Sequence, residues 1–97
     1  MHVGVCRLSL RIPGSRSLKN KRQVAQSLIA RVRARYNVAV AEVDDNERWQ
    51  VLTLGITCVS NQRSHADEML SRVEAFIGSS RPDLEMLDSN MEIISGV

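Results

Sequence analysis

The spacing of apolar residues along this chain changes four times, and the order of those changes leaves few folds open. In 3-VGVCRLSLRI-12, Cys6, Leu8, Leu10 and Ile12 alternate with Arg7, Ser9 and Arg11, the two-residue period of a strand with one buried face. Pro13-Gly14 ends it. From Ser17, a good N-cap, the spacing lengthens, and Leu18, Ala25, Leu28, Ile29, Val32 and Tyr36 fall on one helical stripe that stops at Asn37. The segment 38-VAVAEV-43, small and β-branched, reads as a second strand, 44-DDNER-48 as a turn, and 49-WQVLTLGITCVS-60 as a third strand. In that third strand Leu52, Leu54, Ile56 and Cys58 face one way, and Trp49, Val51, Thr53 and Thr57 the other. A turn so short makes the two strands an antiparallel hairpin. Helical spacing returns in Ala66, Met69, Leu70, Val73, Phe76 and Ile77. This helix starts at Ser64 with Asp67 three residues on, close to a capping box, and ends at Gly78 and 79-SSRPD-83. The tail 84-LEMLDSNMEIIS-95 is expected to be a last strand, interrupted around Asp88–Asn90.

The order β-α-β-β-α-β, with right-handed crossovers, predicts an α+β ferredoxin-like sandwich: a four-stranded antiparallel sheet with two helices on one face. The expectation is a single domain over residues 1–97, because a chain of this length cannot bury two cores. The first and third strands are expected to be parallel neighbours. On that expectation Cys6 and Cys58 sit at opposite ends of the pair, and a disulfide is excluded. Both cysteines lie in apolar runs and read as small buried hydrophobes, while His2 and His65 have no second ligand near them, so neither a metal site nor a cofactor is expected. No apolar run approaches the roughly 20 residues that span a bilayer, and Arg7 and Arg11 interrupt what would be a signal-peptide core. A cytoplasmic location and no membrane partner are the expectation.

Charge is where the chain departs from an ordinary small domain. Residues 1–41 carry Arg7, Arg11, Arg16, Lys19, Lys21, Arg22, Arg31, Arg33 and Arg35 and no acidic residue, while all 11 acidic residues share positions 42–97 with four arginines. Such asymmetry points to a polyanionic partner, unless the two segments neutralise each other in the fold. The first helix sharpens the contrast. Its opening turn holds Lys19, Lys21 and Arg22, against the sense of the helix dipole, whereas the second helix is expected to open with Asp67 and Glu68. Lys21 also falls on the edge of the apolar stripe, from which its stem would snorkel toward the end of the sheet. A local rule broken without structural return suggests a functional site. The hydroxyls of Ser15 and Ser17, free N–H groups at the helix start, and the side chains of Arg16, Lys19, Lys21 and Arg22 would together cradle a phosphate, with Arg31 and Arg33 extending the basic surface. The competing reading is that Glu42 or an acidic residue of the tail folds back to pair with them.

The segments SLKNKR, NVAVAEV and WQVLTLGI resemble those of the YlxP-like family, small uncharacterised bacterial proteins of about this length. The resemblance runs from 3-VGV through the second helix and is carried by Ser17-Leu18-Lys19, Lys21-Arg22, Asn37, Ala41-Glu42, Trp49-Gln50 and Gly55 together. It implies a ferredoxin-like fold. The family's genes often neighbour those for transcription-termination and translation-initiation factors and a ribosome-binding factor, which implies a role near RNA or the ribosome.

Three functions compete. RNA or ribosome binding suits the cations, but Tyr36 and Phe76 belong to the helix cores and only Trp49 is left to stack a base, so phosphate and shape would dominate recognition. Binding of a small phosphorylated ligand, or acylphosphatase-like hydrolysis, would use Arg16 in the first strand-to-helix loop, but PGSRS lacks that family's glycine-rich loop. No catalytic constellation stands out, and catalysis is the weaker reading. A homodimeric interaction module would cover the open sheet face, where Val3, Val5, Val51 and Trp49 lie among Arg7, Ser9, Arg11 and Thr53.

Overall fold

A computed structural model describes all 97 residues and orders them as β1 (His2–Arg11), α1 (Leu18–Arg35), β2 (Ala39–Asp44), β3 (Val51–Ser60), α2 (Arg63–Ser80) and β4 (Glu85–Ser95). The strands form one antiparallel sheet in the order β2-β3-β1-β4 with both helices packed on one face, the ferredoxin-like sandwich. One expectation is corrected. β1 and β3 run antiparallel, not parallel. Each helix returns the chain to start a strand parallel to the one before it but one place removed. β3 inserts between β1 and β2, and β1 between β3 and β4, each running the opposite way to its neighbours. Cys58 therefore lies opposite Gly4, two residues along the ladder from Cys6, and both thiols are free and buried.

The core forms where the alternation placed it. Leu8 and Leu10 of β1 and Leu52, Leu54 and Ile56 of β3 meet Ala25, Leu28 and Val32 of α1 and Ala66, Leu70, Val73 and Ile77 of α2. Gly4 lets α2 approach the sheet closely: a Cβ there would stand 2.9 Å from Leu70 Cδ1 and 3.0 Å from Cys58 Sγ. Tyr36 and Phe76 meet edge to face with ring centroids 5.6 Å apart, a favourable quadrupole arrangement.

Several boundaries differ from expectation for local reasons. α2 starts at Arg63, with Gln62 at the cap and no side-chain cap bond, so Ser64 lies inside the first turn and does not cap it. Its first turn holds no acidic residue. Asp67 and Glu68 come one turn later, and Arg63 donates to Ile93 O at 3.3 Å and Ser95 Oγ at 3.1 Å. The helix continues through Gly78 to Ser80 and ends before Pro82, whose ring cannot extend it. β4 is continuous, with an irregularity between Met86 and Asp88, earlier than expected. β2 carries a similar shift between Glu42 and Asp44, which re-aims the chain into the 45–50 loop, where Asp45 adopts φ 58, a left-handed conformation that aspartate tolerates. β3 begins at Val51, so Trp49 belongs to this loop and not to the strand. No helix is long and apolar enough to cross a membrane.

Candidate functional site

The loop between β1 and α1 is built as a cap. Ser17 is the N-cap in extended backbone, its Oγ accepting from Asn20 N at 3.1 Å, and Asn20 Oδ1 in turn accepts from Arg16 N at 3.3 Å. Ser15 is buried and its hydroxyl donates to Ser17 O at 3.3 Å. The two serine hydroxyls and the Asn20 and Arg16 amides are thus engaged within the turn. The Ser15 and Ser17 hydroxyls expected to help cradle a phosphate both take part in this cap.

Lys21 leaves the expected surface group altogether. Its side chain is fully buried, and Nζ donates to Asp45 O at 2.5 Å and Val51 O at 3.1 Å, with Glu42 Oε2 at 3.8 Å. The stem runs past the core toward the end of the sheet, and the head is fixed between the end of β2 and the start of β3. Glu42 reaches it because the strand register puts Glu42 on the helix side opposite Leu54. Its Oε2 is buried with no hydrogen-bond donor of its own, so the lysine supplies its only compensating charge. For Lys21, the internal-pairing alternative therefore holds.

The remaining cations divide cleanly. Arg7 pairs with Asp44 at 2.5 Å and Arg11 with Glu85 at 3.4 Å, so three of the nine cations of residues 1–41 are matched by carboxylates of the acidic segment. Arg16, Lys19, Arg22, Arg31, Arg33 and Arg35 have no carboxylate within 4.0 Å. All six are exposed. At 100° per residue Lys19, Arg22 and Arg33 share the flank of α1 that lies over β2, where Arg33 Nη2 donates to Val40 O at 2.8 Å. Arg31 and Arg35 occupy the opposite flank, and Arg35 lies over the Phe76 ring, 4.7 Å from its centroid. Arg16 precedes the Lys19 end of the first flank.

The open sheet face differs from its expected appearance at two places. Thr53 is fully buried there, because its hydroxyl donates to Asp45 Oδ2 at 2.8 Å and shares a 2.9 Å hydrogen bond with Ser9 Oγ. That Thr53 hydroxyl, with Arg48 behind it, holds the Asp45 carboxyl below the usual carboxylate range. Trp49 stands at the end of the face, 53% exposed and outside the packed core. Beside it lie Arg11, as expected, and Arg48, which sequence reasoning passed over although the dipeptide Arg48-Trp49 places them together. The 45–50 loop touches the loop before α1, since Ile12 N donates to Gln50 O at 2.8 Å and Gln50 Nε2 to Ser15 O at 3.5 Å. No three or more His, Cys, Asp or Glu side chains converge as metal ligands would.

Comparison with known proteins agrees with this architecture. Residues 3–91 match the family described as "Protein of unknown function (DUF503)". The chain is 39% identical over 69 residues to the Uncharacterized protein YlxP of Bacillus subtilis (strain 168), covering 71% of this chain and 74% of that protein. Among solved structures, a de novo designed protein with ferredoxin fold, LFR1 1, superimposes with a TM-score of 0.54 at 13% identity, covering 97% of this chain and 84% of that one, a likeness of fold alone. With residues 3–91 matching the family and 71% of the chain aligned to YlxP at 39% identity, the chain belongs to the DUF503 family of YlxP-like proteins.

Proposed function

We propose that this protein binds RNA, free or within the ribosome, through phosphate contacts made by Arg16 and by Lys19, Arg22 and Arg33 on one flank of α1. The observation that carries the proposal is the division of the cations. The fold matches Arg7, Arg11 and Lys21 with carboxylates, yet leaves six exposed cations on α1 and the loop before it without one, although the chain holds 11 acidic residues. Lys19 and Arg33 are separated along the helix by about 21 Å at 1.5 Å per residue, long enough for a backbone to lie across several phosphates. Small-anion binding loses support, because the serine hydroxyls and Lys21 that would have enclosed a single phosphate are engaged inside the fold.

Four phosphate contacts predict an affinity for single-stranded RNA that falls with salt at a log–log slope of about −3. Replacing Arg16, Lys19 and Arg22 by Glu reverses three of these charges at exposed positions. Binding of RNA, and co-sedimentation with ribosomal subunits at low salt, is expected to disappear while the circular dichroism spectrum and melting temperature stay near wild type. If the variant binds as tightly as wild type, with an unaltered salt slope, this surface is not the contact.

A further inference from the structure

Trp49 has no structural employment that accounts for its exposure. A tryptophan at a hairpin is ordinarily a packing residue, yet this one is 53% exposed and lies outside the packed core. It lines a shallow hollow of about 550 Å³ together with Arg11, Arg48, Glu47, Gln50 and Leu87. Arg11 meets the exposed Glu85 at 3.4 Å and Arg48 the part-buried Asp45 at 3.3 Å; both arginine side chains are themselves more than half exposed, so these pairs are worth little and leave the guanidinium groups open to another anion. Glu47 has no cation within 4.0 Å; its carboxylate and the Gln50 amide add an acceptor and a donor, groups suited to the edge of a base. Through Ile12 and Ser15 the hollow adjoins the loop that leads into the free cations of α1.

We infer that this hollow is a stacking site for one unpaired nucleotide of a bound RNA, with the base on the Trp49 indole and the flanking phosphates on Arg11 and Arg48. The inference rests on the RNA-binding proposal above and adds to it a substrate class, single-stranded in preference to duplex RNA. Base–aromatic stacking requires a splayed base, which a continuous A-form duplex does not offer. A protein partner is the less favoured occupant, because four of the seven lining residues are charged or amidic and interface cores are depleted in carboxylates such as Glu47.

Trp49 is the only tryptophan, so intrinsic fluorescence of the full chain reports on this site alone. A short unstructured oligoribonucleotide, a blunt RNA duplex of equal length and heparin would each be titrated at fixed salt, with binding followed independently by anisotropy of labelled RNA. The single strand is expected to quench Trp49, while heparin binds without quenching. Trp49→Ala should weaken single-strand binding roughly tenfold, leave duplex binding within about twofold, and be rescued by Trp49→Phe. If both RNAs bind, Trp49 emission is unmoved and Trp49→Ala binds the single strand as tightly as wild type, the stacking site is refuted while phosphate binding by α1 stands. If neither RNA binds at low salt, both proposals fall together. A concentration-dependent dimer that quenches Trp49 without RNA and is lost in Trp49→Ala would assign the hollow to a second copy and overturn the inference.

Discussion

At the scale of single residues, Lys21 is the side chain whose loss the fold should feel most. Removing one member of a buried pair leaves the other charge uncompensated, which typically costs about 3–5 kcal/mol. Here Asp45 O and Val51 O would lose their donor as well. Lys21→Ala is therefore expected to lower the unfolding free energy by about that amount in urea denaturation. Glu42→Gln should cost less, because the ammonium keeps its two carbonyls. Comparable losses in the two variants would contradict the assignment of the carbonyls as the main support. Part of this was legible in the sequence: Lys21 fell on the apolar stripe and Glu42 was a candidate partner. The carbonyl acceptors were not, because side-chain spacing carries no information about where a bulged backbone aims its oxygens. The same blindness explains why Ser15 and Ser17 looked available. Their hydroxyls are consumed by cap bonds a few residues away, which residue type alone leaves undecided.

At the scale of elements, the 45–50 loop is tied down by a carboxylate. Asp45 accepts from Thr53 and Arg48, and its pKa is lowered in the folded state, first by the Thr53 hydroxyl. A depressed carboxyl contributes stability that is present above its unfolded value, about 4, and is lost as the pH falls through the lower folded value. Acidification into that window should release the loop, and Trp49 emission should shift there in a step that Asp45→Asn abolishes. A Trp49 signal flat through that range would show that the carboxylate does not hold the loop. The strands and both helices were legible from period alone. The helix boundaries and Trp49's place were less so, since Ser64 imitates a cap from inside the first turn of α2 and a hydrophobic run such as WQVLTLGI does not mark where its ladder begins. With Arg63 also in its first turn, α2 is not the acidic counterexample the sequence suggested. What sets α1 apart is that its exposed cations lack carboxylate partners, and only the folded arrangement reveals that.

For the whole molecule, the sheet order brings residues from both ends of the chain together. Arg11 meets Glu85, and His2 Nδ1 lies 2.7 Å from Ser95 Oγ. Cys6 on β1 and Cys58 on β3 are sealed beneath α2, and burial pushes both thiols up from their ordinary value. Both should react with a thiol reagent only as fast as the domain opens, so that their labelling rates coincide with each other and with global unfolding across a denaturant series. Faster labelling of one would reveal a local opening at that strand. The antiparallel pairing of β1 and β3 was the one topological feature misread from sequence, because element order fixes which strands are neighbours more directly than it displays their sense.

The buried ammonium of Lys21 also bears on the order in which the chain can fold as it is synthesised. Its acceptors, Asp45 O and Val51 O, follow it by 24 and 30 residues. α1 packs on β2 and β3, the elements that flank these acceptors, so until both have left the exit tunnel any burial of its apolar face would strand a dehydrated charge, at a cost of several kcal/mol. The amino-terminal third is thereby held undocked until the hairpin arrives, and the nascent protein acquires its core late and in one step.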